Sequence, residues 1–403
     1  MIAAILCAGV ALVGWALLAE PLARRGVAAP MVLVLAGALL GLCARSTVAD
    51  TLNTAVALRC AEIILAVLLF VEATDVRGGL LGAHPRTALR ALLVALPIGL
   101  AGAIGAGLIL LPHTDVALLL VIACVVAPVD FAPAPSLLLG RGVPTRVRDI
   151  LKVEAGYADG ILSPLIVFAL AWVGVGAQAD SPLDALANAA PAALEALLVG
   201  AVIGTSLAAA MNATERHHLS NARSRRLILV AAPLLAWAAA VGIGGNGFVA
   251  AFVCGVAFRY FRRSAAAEDE LEFVDDVGAV LTTVMWFVFG VVAVYSLWSG
   301  VPLRWIVYAV ATLTVVRLAA FAIAMVGSGL RPREIALLGW LGPRGTSTIV
   351  FGLIAYNELP DADAARVAEV MTVTVLASIV LHGIGTPLTA GRRERAVNPP
   401  NRS

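Results

Sequence analysis

The chain has 403 residues, 61% of them hydrophobic and 13% charged, with a mean hydropathy of +0.96. Soluble domains are roughly half apolar and about a quarter charged, so this composition excludes an ordinary soluble protein and fits an all-α polytopic membrane protein surrounded by lipid. A net charge of +2 gives no electrostatic footprint for a nucleic-acid partner.

Apolar stretches of about 17–25 residues mark helical spans. Here they fall at 2–19, 29–44, 55–74, 88–112, 115–139, 149–176, 184–210, 227–243, 245–261, 273–297, 302–327, 333–357 and 364–389, which predicts about 13 transmembrane helices. Arg24 and Arg25 follow the first stretch rather than precede it, the wrong polarity for a cleaved signal. Arginines gather after the odd-numbered stretches, as at Arg77, Arg86 and Arg90, at Arg216, Arg223, Arg225 and Arg226, and in the tail at Arg392, Arg393 and Arg395. The loops after even-numbered stretches are short, polar or acidic, as at Asp180, Asp184, Glu358, Asp361 and Asp363. Positive charge marks the cytoplasmic side, which predicts a cell-membrane protein with its N-terminus outside and its C-terminus inside. Residues 391–403 then form a short cytoplasmic tail. The five cysteines are scattered in apolar runs without CxxC spacing, and read as buried inert thiols.

Two stretches carry helix breaks. The fifth contains Pro128, Val129, Asp130, Pro133 and Pro135; the twelfth contains Gly342, Pro343, Arg344 and Gly345. Proline removes a backbone donor and clashes one turn back, and broken backbone at membrane depth survives only where protein or a watery cavity covers it. The breaks lie seven stretches apart, so the two broken helices run in opposite directions. That is the signature of two inverted repeats whose broken helices cross at a binding site. The halves are 1–176 and 227–390, joined by a linker helix at 184–210, and together they form one transmembrane domain over 1–390.

Ionisable groups beside such breaks are functional candidates. Asp130 lies in the first break, and Glu154 and Asp159 lie on the sixth stretch. At about 100° per residue these last two are about 140° apart, so they face different surroundings. Asp159 shares its face with Ala155 and Ser163, while Gly156 and Gly160 allow close approach of another helix. A buried carboxylate without a fixed partner exchanges protons with the medium, and proton and cation compete for its oxygens. Asp159 and Asp130 are therefore the candidate cation and proton ligands, with Ser163 or Ser136 as an added oxygen; the alternative for Asp130 is a cap on a half-helix. Glu154 needs a cation, and Arg317, alone in an apolar run, is matched to it as a structural ion pair. Arg344 is expected to balance the dipole ends and free carbonyls of the crossed half-helices. Glu72 and Asp75, near the end of the third stretch, read as a solvated mouth or as partners of Arg77, and Arg59 and Glu62 as a one-turn pair. His217 and His218 read as ordinary loop residues.

Ala127-Pro-Val-Asp130, Gly140-Arg-Gly-Val-Pro144, Val153-Glu-Ala-Gly-Tyr-Ala-Asp-Gly160, Gly244-Gly-Asn-Gly-Phe248 and Gly339-Trp-Leu-Gly-Pro-Arg-Gly345 together resemble the motifs of monovalent cation/proton antiporters of the sodium/proton exchanger type. The likeness runs in order over nearly the whole chain. It implies Asp159 as the essential ion-binding aspartate, Asp130 as its partner on the crossed helix, Glu154 and Arg317 as a bridging pair, and a homodimer. Four positions depart from the pattern, three of them losing a polar side chain: Val129 stands where it has threonine, Phe131 where it has proline, Ala155 where it has serine, and Ala158 where it has asparagine. The expected activity is exchange of Na+ for H+, electroneutral because Ala158 leaves Asp159 without an adjacent second aspartate. A K+/H+ antiporter or a transport-inactive relative is the alternative. No nucleophile elbow, phosphate loop or His/Cys metal cluster suggests an enzyme or a cofactor. A symporter of small organic anions is disfavoured by Asp130 and Asp159.

Overall fold

A computed structural model of the chain describes residues 2–24, 27–43, 55–76, 79–133, 143–174, 182–298 and 300–384. Pro135, Ser136, Arg77, Asp180, the Gly140–Gly142 part of one motif and the tail lie outside them. Every regular element among the described residues is helical. Each predicted stretch contains helix: α1 (Ile2–Arg24), α2 (Ala29–Cys43), α3 (Ala55–Asp75), α4 (Pro85–Leu110), α5 (Val116–Val126), α6 (Thr145–Val173) and α7 (Pro182–Arg216). They continue with α8 (Ala222–Gly242), α9 (Gly247–Phe261), α10 (Ala267–Leu297), α11 (Leu303–Ala324), α12 (Pro332–Trp340), α13 (Thr346–Glu358) and α14 (Asp361–Ser378). Seven of the described helices are long and apolar enough to cross a membrane.

Local chemistry sets several of the ends. Pro85 and Pro332 occupy first helical positions, where a missing N–H costs nothing. Asn246 caps α9 by accepting hydrogen bonds from Phe248 N (3.0 Å) and Val249 N (3.2 Å). Gly174 ends α6 at φ 94°, a conformation that suits glycine.

At the centre of the bundle stands α5, with Leu118 through Val126 buried on all faces. A helix that is apolar all round belongs in an interior, and this one packs against α4, α6, α13 and α14. Around it, α3 packs on α6, α9 and α13, while α2 lies along α10. Gly290 allows that last approach, since a Cβ there would run into the Val34 carbonyl.

One expectation needs correction. Only Cys124 and Cys254 are buried; Cys7, Cys43 and Cys60 are exposed thiols on the outer faces of apolar helices. The arginine-rich connection at 216–226 is tied down by ion pairs. Arg225 Nε donates to Glu270 Oε1 (2.6 Å), and Arg262 reaches the same carboxylate through Nε (3.0 Å) and Nη2 (2.7 Å). Arg262 also meets Glu215 at 2.7 Å, which ties the ends of α7, α8, α9 and α10 together. His217 and His218 are exposed.

Candidate functional site

The helix from Val116 stops at Val126, two residues before Pro128, and the chain runs without helix through Phe131. The second break separates α12 from α13 at Leu341–Gly345. The two breaks touch: Asp130 N donates to the Pro343 carbonyl at 2.9 Å. The Arg344 guanidinium donates through Nη1 to the carbonyls of Ala127 (2.5 Å) and Pro128 (2.8 Å), at the C-terminal end of α5. In return, Asp130 Oδ2 accepts from Thr346 N at 2.6 Å, the first residue of α13, and Oδ1 accepts from Ala132 N at 2.7 Å. Each break thus caps the other, a cation at a helix C-terminus and an anion at an N-terminus, as the helix dipoles favour. Gly345 makes room for this, because a Cβ there would collide with the Asp130 carboxylate. The Arg344 N–H donates to Ser378 Oγ (2.7 Å). His382, beside that serine, has Nε2 2.9 Å from the Trp340 carbonyl.

On α6, the carboxylate of Glu154 receives two parallel hydrogen bonds from Arg317, Nη1 to Oε1 at 2.7 Å and Nη2 to Oε2 at 2.8 Å. Both residues are buried. Arg317 also donates to the Leu338 carbonyl (3.2 Å) and stacks over the Phe321 ring at 4.8 Å. Gly342 leaves space for the guanidinium, which a Cβ would overlap. A planar fork against a carboxylate is the geometry for which arginine is suited.

Asp159 is different. It is fully buried at 0% exposure, and neither carboxylate oxygen has a hydrogen-bond partner. Glu72 and Ser347 stand beside it, while Asp130 and Arg344 lie within Coulombic reach. Ser163 is buried on the same helix, but its hydroxyl donates to the Gly160 carbonyl at 3.1 Å. Gly156 and Gly160 meet different neighbours: a Cβ on Gly156 would lie 3.0 Å from the Glu72 carbonyl, and one on Gly160 would strike the Phe252 ring at 2.6 Å.

Glu72 departs from the expectation of a solvated mouth, because its Oε2 is buried. Residues 65–70 of α3 are buried on every face of the helix, and Glu72 follows them half-buried. Asp75, one turn on, is exposed and lines a cavity of about 270 Å³ with Thr74, Glu268, Asp269, Glu272 and Asp275. Arg59 and Glu62 pair at 2.7 Å on the surface. Neither Ser347 nor Ser378 was singled out in sequence, although Ser347 is the middle of a run of three hydroxyls, Thr346-Ser347-Thr348, directly after the second break.

The model of the family described as "Sodium/hydrogen exchanger, transmembrane" matches residues 8–390. A Na(+)/H(+) antiporter of Schizosaccharomyces pombe is 25% identical over 358 residues, covering 80% of this chain and 75% of its own length. The structure of the sodium proton antiporter MjNhaP1 from Methanocaldococcus jannaschii at pH 8 superposes with a TM-score of 0.76 at 17% identity, covering 95% of this chain and 99% of that one. A second structure of that antiporter, from an electron-microscopy map, gives a TM-score of 0.73, also at 17% identity, covering 98% and 97%. With crossed, mutually capped half-helices and an unpartnered buried carboxylate beside them, the chain belongs to the transmembrane sodium/hydrogen exchanger family.

Proposed function

We propose that this protein exchanges sodium for protons across the cell membrane by alternating access, one ion for one proton. Cation/proton exchange follows from the family; the observation that carries the assignment to a residue is Asp159, a fully buried carboxylate whose two oxygens accept no hydrogen bond. Such a group is stable only when neutralised by a proton or a cation, and alternation between the two is exchange. Asp130, already engaged by Thr346 N and Ala132 N, acts beside it by fixing the crossing and adding negative potential. Glu154, held by two hydrogen bonds from Arg317, serves as a structural partner and not as the carrier. With one carrier charge, the sodium-loaded and proton-loaded states match, so the cycle moves no net charge. In this reading the halves 1–176 and 227–390 are inverted repeats joined by the helix at 184–210, the N-terminus is outside and the C-terminus cytoplasmic, and the protein works as a homodimer.

The test is dissipation of an imposed pH gradient in proteoliposomes on addition of sodium, lithium, potassium or an organic anion. Sodium is expected to dissipate it, at a rate unchanged when a valinomycin-clamped potential is imposed. A response to potassium alone replaces the cation, a rate that follows the potential refutes the one-for-one cycle, and no response to any cation refutes exchange.

A further inference from the structure

Away from the crossing, arginines from two helices converge on one turn. Arg86 and Arg90 lie in the first six residues of α4, and Arg146 is the second residue of α6. The turn is the one that follows α11, where Gly327 takes φ 71°. Arg90 Nη1 donates to the Val326 carbonyl at 2.6 Å, and Arg146 Nη2 reaches the Ser328 carbonyl at 3.4 Å. Each contact uses one nitrogen of a guanidinium that has five N–H donors in a planar fork. Among the described residues, none of the three arginines pairs with a carboxylate. Arg86 is exposed, and Arg146 Nε is buried without a partner. Together they line a cavity of about 660 Å³ that has no acidic side chain in its wall.

The rest of that wall is mostly apolar and is ordered by depth. Leu89, Leu93 and Val94 line the same cavity, and all three are exposed. At 1.5 Å per residue, Leu93 and Val94 lie about 10–12 Å along α4 from Arg86, deeper than a headgroup layer of about 5–8 Å. Positive charge thus stands at the helix end and exposed apolar surface one to two turns further in, the same order as phosphate and acyl chain in a phospholipid. A water-soluble anion would use only the first part of such a wall. Residues 77–78 and 134–142, which lie next before the cavity's arginines in sequence, carry Arg77 and Arg141 and no acid, so these segments bring no counter-charge.

We propose that this cavity holds one anionic phospholipid, its phosphate on Arg86, Arg90 and Arg146 and its chains along Leu89, Leu93 and Val94. Basic pockets between transmembrane helices bind anionic headgroups, and guanidinium forks match phosphate oxygens. A zwitterionic lipid fits less well, because it brings its own cation against three arginines. The bound lipid joins the starts of α4 and α6 to the end of α11. Glu154 and Arg317 already join α6 to α11, so the lipid braces the same pair of helices a second time and raises their stability.

The test uses the full chain, stripped of lipid in detergent, with native mass spectrometry and melting temperature as readouts. The probes are phosphatidylglycerol, phosphatidylcholine with the same chains, and inorganic phosphate. One phosphatidylglycerol per protomer is expected to stay bound and to raise the melting temperature, with little effect from the other two. Each arginine contributes about fivefold in affinity for an anionic lipid. Arg86→Gln should therefore weaken phosphatidylglycerol binding about fivefold, and the double variant with Arg146→Gln about twentyfold or more. Arg86→Lys should keep most of the affinity. Arg86 makes no ion pair, so Arg86→Gln without lipid should melt with the lipid-free wild type, a result that separates lost binding from a lost fold. Equal stabilisation by inorganic phosphate would make this a site for a free anion and overturn the lipid. Equal binding of phosphatidylcholine, or wild-type affinity in both glutamine variants, would overturn the role of the arginines and with it the proposal.

Discussion

Glu154 and Asp159 sit five residues apart on the same helix, both buried, and their surroundings are opposite. Glu154 accepts two guanidinium hydrogen bonds at 2.7 and 2.8 Å; Asp159 accepts none. Asp130 lies between these extremes, holding two backbone amides but no basic side chain. A charge with fixed partners cannot be released and recaptured in a transport cycle, whereas one without them is stable only when something mobile neutralises it. On this difference rests the proposal that one carboxylate is structural and the other carries cargo.

The largest effect on stability should come from unpairing Glu154. Glu154→Gln or Arg317→Met strands a buried charge, at about 3–5 kcal/mol, and should lower the melting temperature in detergent sharply. The double variant should recover part of that loss, and strictly additive losses would break the comparison by showing that the two residues do not interact. Next is the capping crossing. Gly345→Ala forces a methyl against the Asp130 carboxylate, an overpacking cost of about 1–3 kcal/mol, and both melting temperature and exchange rate should fall. A smaller cost attends Asp130→Asn, which keeps an oxygen for Thr346 N but removes the charge at the start of α13. About 1 kcal/mol is expected from the lost dipole interaction, with slowed rather than absent exchange. Complete loss of exchange in a stable Asp130→Asn protein would move Asp130 from the cap to the carrier.

The breaks were legible because proline and glycine act locally: Pro128 and Pro343 dictate where helix stops, whatever surrounds them. The matching of Glu154 to Arg317 followed from scarcity, as few cations lie within apolar runs and a buried arginine must be paired. What surrounds Asp159 was not legible in the same way. Ser163 was favoured because it shares a helix face with Asp159, but a serine in a helix readily bonds a carbonyl of its own turn, and this one does so to Gly160. A further hydroxyl beside Asp159 is that of Ser347 on α13, a neighbour that only the crossing creates. Glu72 was not legible either: its position near a helix end suggested solvent, and because residues 65–70 are buried on every face, no helix face marked its inward side. Exposed Cys7, Cys43 and Cys60 show the converse. An apolar run fixes that a helix lies in lipid, but which face turns to the protein depends on neighbours.

The central claim is that Asp159 carries the cargo and Glu154 does not. Sodium-evoked dissipation of a pH gradient, measured on Asp159→Asn proteoliposomes with melting temperature recorded on the same preparation, tests it most directly. Removing an uncompensated buried charge should leave the melting temperature at or above wild type, while exchange falls to the level of protein-free vesicles. Exchange at the wild-type rate in Asp159→Asn would contradict the account.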